Sequence, residues 1–280
     1  MQPLPSAADK SAEKRALERR DLEHASPREV RAAIREGRWK SNTKRVALGH
    51  HQANVTIVPE KYAFDFMRFC VRNPRPLPLL DVTDPGDPTP RKAAPDADLR
   101  TDIGAYVVLR EGEIVERPAS LEKIWRKDHV AFLTGCNLSM DRVMLEAGMP
   151  LPHLTSEEAF PAQFRSSLEC APAGAFHGPV VVSLRPVPDA LVVPLIELTS
   201  RYALSHGAPV HVGDPAAIGV RDLQKVDWGK PNAVPAGHTP MFWACGITAQ
   251  AAAAASRIPE MIVHAPGRLF VTDLVVRESS

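Results

Sequence analysis

Three times beyond residue 128 the chain passes from an apolar stretch through a glycine into residues that open helices: HVAFLTGCNLSMDRVMLEAG, APVHVGDPAAIG and PMFWACGITAQAAAAA. A strand that ends in glycine and gives way at once to helix-starting residues is the joint of an α/β fold, and few other architectures need it repeatedly. In the second joint Asp214 is a natural N-cap and Pro215 suits the first helical position; in the third Thr248 can cap the alanine-rich helix. Such joints turn unpaired N–H groups and a positive dipole end outward, which suits a carboxylate or phosphate. In open α/β sheets ligands lie beyond the carboxyl ends of the strands. For any one joint, a glycine that merely lets the chain turn is the simpler reading; three in one chain favour a site.

The preceding residues alternate in the same way. SPREVRAAIREG carries a complete helix start, with Ser26 as cap, Pro27 at the first position and Glu29 closing a capping box, and Gly37 ends it. QANVTIVP reads as a strand, EKYAFDFMRFCVRN as a helix with Phe64, Met67, Cys70 and Val71 on one face, and PLPLLDVT as a buried strand. Residues 84–96 (DPGDPTPRKAAPD) read as a long surface loop, and AYVVLREGEIVERP as a hairpin turning at Glu111 and Gly112.

With 280 residues, 44% of them hydrophobic, the chain can bury a large core. Its 34 basic and 33 acidic side chains leave a net charge of +1, so no global field recruits nucleic acid or an anionic membrane. No apolar run is long enough to span a bilayer. Cys70, Cys136, Cys170 and Cys245 are widely spaced, with no C-x-x-C pair, which points to reduced thiols and a cytoplasmic location. Residues 1–24 carry charges of both signs and no apolar segment, and read as a solvated tail.

Strand alternation selects candidate site residues. In PVHVG, Val210 and Val212 share one face and His211 points from the other, beside Gly213 and Asp214; in FWACG, Trp243 and Cys245 share a face. His177, His206, His211 and His264 all lie near glycine or proline at expected strand edges. His206, His211 and Asp214 follow no strong metal-ligand spacing, so no metal site is assigned and no cofactor is required, although a divalent cation stays open. Cys245 is either a nucleophile or, as buried free cysteines more often are, a small hydrophobe.

The motifs QANVTIVP, RNPRPLPLLDVTDPGDPTP, FHGPVVVSLRP, HGAPVHVGDPAAIGV, MFWACGITAQ and HAPGRLFVTD, between Gln52 and Asp273, resemble the bacterial hydro-lyase family related to D-glutamate cyclase. The resemblance implies an α/β protein, a mixed sheet with flanking helices in two intertwined subdomains. We place these at 25–104 plus 225–280, and at 105–224. It also implies a lyase that removes water as D-glutamate closes to 5-oxo-D-proline. Two departures stand out: Arg268 in HAPGRLFVTD, where the family pattern has histidine, and FPAQFRSSLEC, a loose version of a segment that carries tyrosine, arginine and asparagine near its cysteine.

Lactam closure needs a base, an acid and anion stabilisation. His211 with Asp214, then His177 and His264, are the expected proton-transfer groups. Arg100 and Arg185 are the expected forks for two carboxylates. His206, Gly213, Cys245, Gly246 and Thr248 complete the expected substrate contacts. The expected partner is a small carboxylate; a homo-oligomer is left open. Two other classes compete: a non-catalytic binder of a small amino or carboxylic acid, and a hydratase or hydrolase of another small carboxylic acid.

Overall fold

HHQANVTIVP forms β1 (His50–Pro59), the axis of the first of two sheets. The computed structural model describes residues 17–154 and 160–279. Residues 51–59 are all buried: Ala53, Val55 and Ile57 enter an apolar layer on one side, and Gln52, Asn54 and Thr56 alternate onto the other as buried polar groups. β5 (His129–Gly135) pairs along β1 from Ala53↔Gly135 to Pro59↔His129. The other edge of β1 is shared. β10 (Met261–His264) takes one half through Thr56↔Val263, and β11 (Phe270–Val275) takes the other through Gln52↔Val271. β2 (Leu79–Val82) lies outside β5, while β3 (Tyr106–Arg110) and β4 (Glu113–Glu116) continue beyond β10. The second sheet runs β6 (Gln163–Glu169), β7 (Pro179–Pro188), β9 (His238–Ala244), β8 (His211–Val212).

The chain is therefore α/β with flanking helices, but all pairings described within the two sheets are antiparallel, not mixed. Sheet membership also crosses the expected subdomain boundaries. β3, β4 and β5 join the first sheet although they follow residue 104, and β9 joins the second although it follows residue 224. Local patterning identifies strands; their long-range partners decide which sheet they enter.

One core lies between the sheets. Val58, Phe132 and Val263 from the first meet Phe164, Val182, Leu184 and Phe242 from the second. Two helices pack into it: α3 (Glu60–Arg72) and α6 (Thr248–Ser256). The buried stripe of α3 is Phe66, Phe69 and Cys70, with Met67 half-buried against it, whereas Phe64 and Val71 are 72% and 67% exposed. The expected face was thus rotated. The helix carries apolar residues on two sides, and Phe66 wins because Phe132 and Phe176 meet it edge-on at 4.9 and 5.0 Å.

Among the described residues the outer face of the first sheet, around Val55, Ile57 and Leu133, is covered by irregular chain instead of a helix. Residues 84–105 fill that place, burying Ala93, Ala94, Leu99 and Ile103 against Val55, Ile57 and Leu133. This stretch is therefore more than the surface loop expected: part of it is a packed layer. α2 (Pro27–Arg35), capped by Ser26 and Glu29 as its sequence dictates, clasps it. Arg35 holds Asp102 with two bonds of 2.7 and 2.6 Å, and Arg31 reaches Asp96 and Asp273. The hairpin at Glu111 and Gly112 forms as expected, both residues having positive φ.

The expected tail divides. Residues 1–16 lie outside the described residues, while α1 (Arg19–Glu23) buries Leu22 beside Val30, Trp39 and Val46. The chain docks there because Leu22 also accepts the Ala47 amide proton. Two further helices, α4 (Asp141–Glu146) and α5 (Val192–Ser200), cover the far face of the second sheet against Met241 and Trp243. No described helix is long and apolar enough to cross a membrane.

Candidate active site between two glycine joints

Two of the three glycine joints meet. β5 ends at Gly135, Cys136 follows, and a short 3-10 helix, Asn137–Met140, leads into α4. β9 ends at Ala244, and Cys245, Gly246 and Ile247 lead into α6. Asn54 of β1 stands between them. Its amide donates to the Gly135 carbonyl at 2.8 Å, and a Cβ on Gly246 would lie 2.1 Å from its Nδ2. At Gly135 a Cβ would lie 1.7 Å from the Leu204 carbonyl oxygen. Both glycines are there because other atoms occupy the space a side chain would take. Asn137 then ties the first joint to the second sheet by donating to the Ser183 hydroxyl at 3.0 Å.

Between these joints lies a cavity of about 40 Å³, lined by Asn54, Cys136, Asn137, Gln163, Cys245 and His264, with Phe160, Pro161 and the 266–269 turn forming much of the remaining wall. Every polar side chain named on it is neutral in its ordinary or shifted state. Burial pushes the Cys245 thiol up to about 11 and raises Cys136 further, so both keep their protons near neutrality. Gln163 donates to Cys245 Sγ at 3.5 Å. Burial lowers His264 to about 4, and its Nδ1 accepts the Val55 amide proton at 3.2 Å. That leaves the imidazole proton on Nε2, so the ring offers a donor and not a base.

A charged pair backs the cavity. Ser183 and Arg185 alternate onto one face of β7, beside Trp243 and Cys245 of β9. The buried Arg185 guanidinium donates to Asp141 at 3.0 Å, lies 5.5 Å from the Trp243 ring centre, and moderates the rise of both thiols. The other Asp141 oxygen meets His153 Nε2 at 2.8 Å. Arg185 Nε and Nη1, Trp243 Nε1 and His206 Nε2 are buried with no hydrogen-bond partner among the described residues. A buried cation with donors to spare is suited to a carboxylate.

The third joint does not join them. His211 pairs with Phe242 and Val212 with Met241, so the antiparallel register carries Gly213 to Pro240 and Asp214 beyond it. At about 3.4 Å per residue, Cys245 is roughly 17 Å from Pro240 along β9. His211 Nε2 bonds the Asp214 carbonyl at 2.7 Å, and the Asp214 carboxylate caps Ala216 of a four-residue 3-10 turn. The expected pocket of His211, Asp214, Gly213 and the Cys245–Thr248 turn is thus corrected. His177 is exposed in the turn before β7. Arg100 is taken by Asp98, at 2.9 and 2.7 Å. Burial lowers His206 to about 4, and its Nδ1 bonds the Arg75 carbonyl at 2.6 Å. Thr248 is buried, its hydroxyl shared between the Cys245 carbonyl and the Val181 amide.

Of the expected residues, Cys245 and His264 line the cavity, Gly246 and Thr248 shape its wall, and Arg185 stands behind it. Asn54, Cys136, Asn137, Asp141, His153 and Gln163 were not singled out from sequence. Asp141 and His153 are 12 residues apart and their pairing has no local signature. Among the described residues no group of three or more His, Cys, Asp or Glu side chains gathers to hold a metal ion. A larger cleft of about 870 Å³ is separated from the cavity by Leu138, which lines both. Its walls are largely apolar, including Val46, Leu145 and Leu151, and its two arginines are paired, Arg45 with Glu23 and Arg142 with Glu146.

The D-glutamate cyclase family model matches residues 130–273, which include every cavity residue named above except Asn54. A protein from Stutzerimonas stutzeri (strain A1501) is 47% identical over 91% of this chain and 95% of its own. One from Rubrobacter xylanophilus is 47% identical over 88% and 94%, and one from Bacillus subtilis (strain 168) is 44% identical over 89% and 96%. Each bears the name "putative hydro-lyase". Among solved structures, a nitrogen repressor-like protein from Methanococcus jannaschii aligns over 86% of this chain and 94% of its own, with a TM-score of 0.37 and 12% identity. With 47% identity across nine-tenths of its length and the glycine joints within the matched span, the chain belongs to the D-glutamate cyclase family.

Proposed function

We propose that the chain is a hydro-lyase that closes D-glutamate to 5-oxo-D-proline, with loss of water, at the cavity between the two glycine joints. The observation that carries this reading beyond family membership is the character of the lining. No carboxylate faces the cavity among the described residues, amide and imidazole donors do, and Arg185 stands behind the two thiols with two donors free. Such a site favours an anion and the oxyanion formed from it.

In the reaction the amine nitrogen attacks the side-chain carboxyl carbon, the C–N bond forms, and one C–O bond breaks. Two protons leave the ammonium nitrogen and depart with that oxygen as water, so the protein moves protons but supplies none. Cys245 is the group we assign to this shuttle. Its thiol gives a proton to the departing oxygen, and the thiolate, eased by Arg185, takes one from nitrogen. Asn137, Gln163 and the His264 Nε2–H group supply donors for the tetrahedral oxyanion. Ring closure is intramolecular, so holding the substrate bent supplies much of the rate. A cavity of about 40 Å³ holds a few waters, so substrate must part its walls to enter.

The test incubates the purified protein with D-glutamate, L-glutamate and 5-oxo-D-proline, with and without a divalent cation, and follows the lactam by chromatography. Conversion of D-glutamate that falls about 10²- to 10⁴-fold in Cys245→Ala supports the reading. Calorimetric binding of D-glutamate without turnover supports a non-catalytic carboxylate binder instead, and neither binding nor turnover rejects D-glutamate as the substrate.

A further inference from the structure

The large cleft and the small cavity are consecutive chambers along the same two elements. On β1, Gln52 lines the cleft and Asn54 lines the cavity. These positions share a face of the strand and stand about 7 Å apart along it. On the 3-10 helix Asn137–Met140, Asn137 lines the cavity and Ser139 lines the cleft. Among the described residues Leu138, between them, is the only one on both walls. The Ser139 hydroxyl accepts the Gln52 amide proton at 3.0 Å, which ties the two backbones together at the partition. Leu138 is half-buried, whereas Asn137, Ser139 and Met140 are buried.

The opposite wall is held by several contacts at once. A Cβ on Gly267 would lie 2.7 Å from the Phe160 ring, so ring and turn are already pressed together. Lys44 pins the same ring, its Nζ standing 4.6 Å from the ring centre while it donates to the His153 carbonyl at 2.9 Å. Thr43 braces the 266–269 turn, donating its amide to the Gly267 carbonyl at 2.9 Å and accepting the Leu269 amide proton at 3.2 Å. The Pro161 carbonyl oxygen would lie 2.2 Å from a Cβ on Gly229, which leaves that backbone no slack. The partition at Leu138 is of another kind. There one side chain, with rotamers to change, divides a space of about 40 Å³ from one of about 870 Å³.

We propose that the large cleft is the entrance to the cavity and that Leu138 is its gate, a side chain that substrate displaces and whose size decides what enters. This rests on the reading above that places the reaction in the cavity. The cleft offers an entering carboxylate little to hold it, because its walls are largely apolar and its arginines are already paired. Substrate therefore passes from a weak surface to the donors of the cavity. A closed leucine behind it keeps bulk water from a reaction that must release water.

The gate is tested through Cys245, which lies in the cavity wall and reports access whatever the substrate. The wild type, Leu138→Ala and Leu138→Phe are treated with iodoacetamide at one pH, with modification of each cysteine followed by peptide mass spectrometry and thermal midpoints as the fold control. Leu138→Ala is expected to speed modification of Cys245 about 10-fold, because opening no longer lifts a leucine from its contacts, and Leu138→Phe to slow it. Cys70 and Cys170, buried in the core between the sheets, keep their wild-type rates. A second variant approaches from the cleft. Leu145 is 47% exposed on the cleft wall and all four native cysteines are buried, so Leu145→Cys takes a bulky maleimide first. With that label in place, modification of Cys245 falls about 10-fold. An unchanged Cys245 rate in Leu138→Ala overturns the proposal, and so does a labelled Leu145→Cys whose Cys245 reacts as fast as in the wild type. If Leu138→Ala does not fold, or speeds all four cysteines alike, the labelled variant decides alone: slowing of Cys245 supports the gate and no slowing overturns it. With D-glutamate as substrate, the label lowers kcat/KM in the same proportion. A wild type that does not turn over D-glutamate sinks the cyclase reading alone, because the alkylation rates still decide the entrance.

Discussion

Replacing Gly246 by alanine tests whether the two joints and Asn54 form one mechanical unit. Gly246 is not in a left-handed conformation, so alanine meets no backbone penalty. Its cost is steric. The added Cβ would lie 2.1 Å from Asn54 Nδ2 and 2.2 Å from Cγ, and the buried amide would have to leave. Displacement breaks the 2.8 Å bond to the Gly135 carbonyl, which then stays buried without this donor. Overpacking costs about 1–3 kcal/mol and an abandoned buried acceptor about 1–3 more, so Gly246→Ala should destabilise by roughly 2–6 kcal/mol. Asn54→Ala alone should cost about 1–3 kcal/mol, because it too leaves the carbonyl unpaired. The double variant has room for the methyl group and loses the carbonyl's donor once instead of twice, so its cost should be close to that of Asn54→Ala alone, short of the sum by roughly 2–6 kcal/mol. Urea unfolding followed by tryptophan fluorescence measures all three. Strict additivity, or a Gly246→Ala cost below about 0.5 kcal/mol, would show that the close approach does not hold the joints together.

The buried histidines set a pH dependence. His206 and His264 are lowered to about 4 in the folded chain, so below the ordinary value near 6.5 the unfolded chain binds more protons. Stability is therefore complete above about pH 6.5 and falls as pH drops towards 4, by about 3 kcal/mol per histidine at most; a urea midpoint flat between pH 7.5 and 4.5 contradicts this. In α3, Phe66→Ala should cost about 3–5 kcal/mol in chemical unfolding while Phe64→Ser stays within about 0.5 kcal/mol, and the reverse order would restore the other helix face. His211→Asn should leave turnover within about twofold of wild type in steady-state assays, because the ring lies far from the cavity; a loss in the usual general-base range returns it to the mechanism.

How much was legible follows the range of the interaction. The start of α2 was readable in full, because Ser26, Pro27 and Glu29 act within one turn. The α3 face was not, because Phe64 and Phe66 fit a helix equally well and the choice belongs to the rings of Phe132 and Phe176. Period-two alternation in PVHVG says that His211 and Val212 point apart, yet gives no sign that the strand runs for two residues at the edge of the second sheet. Its register then carries Asp214 away from Cys245. Cys245 and His264 were found through the residues around them, while Asn54, Asp141 and His153 became visible only when distant segments met.

The shared edge of β1 has a consequence for synthesis. β5 follows β1 closely enough to cover one side early, but β10 and β11, which divide the other side, begin after roughly 200 further residues. At a translation rate of about 5–20 residues per second, that edge waits roughly 10–40 s for its partners. For that time a strand with open backbone groups, and with Val55, Ile57 and Val58 along it, is exposed to any neighbouring chain. The sheet closes only when residues 261–275 are delivered, so a ribosome stalled before residue 261 would release a chain whose central strand is a template for aggregation.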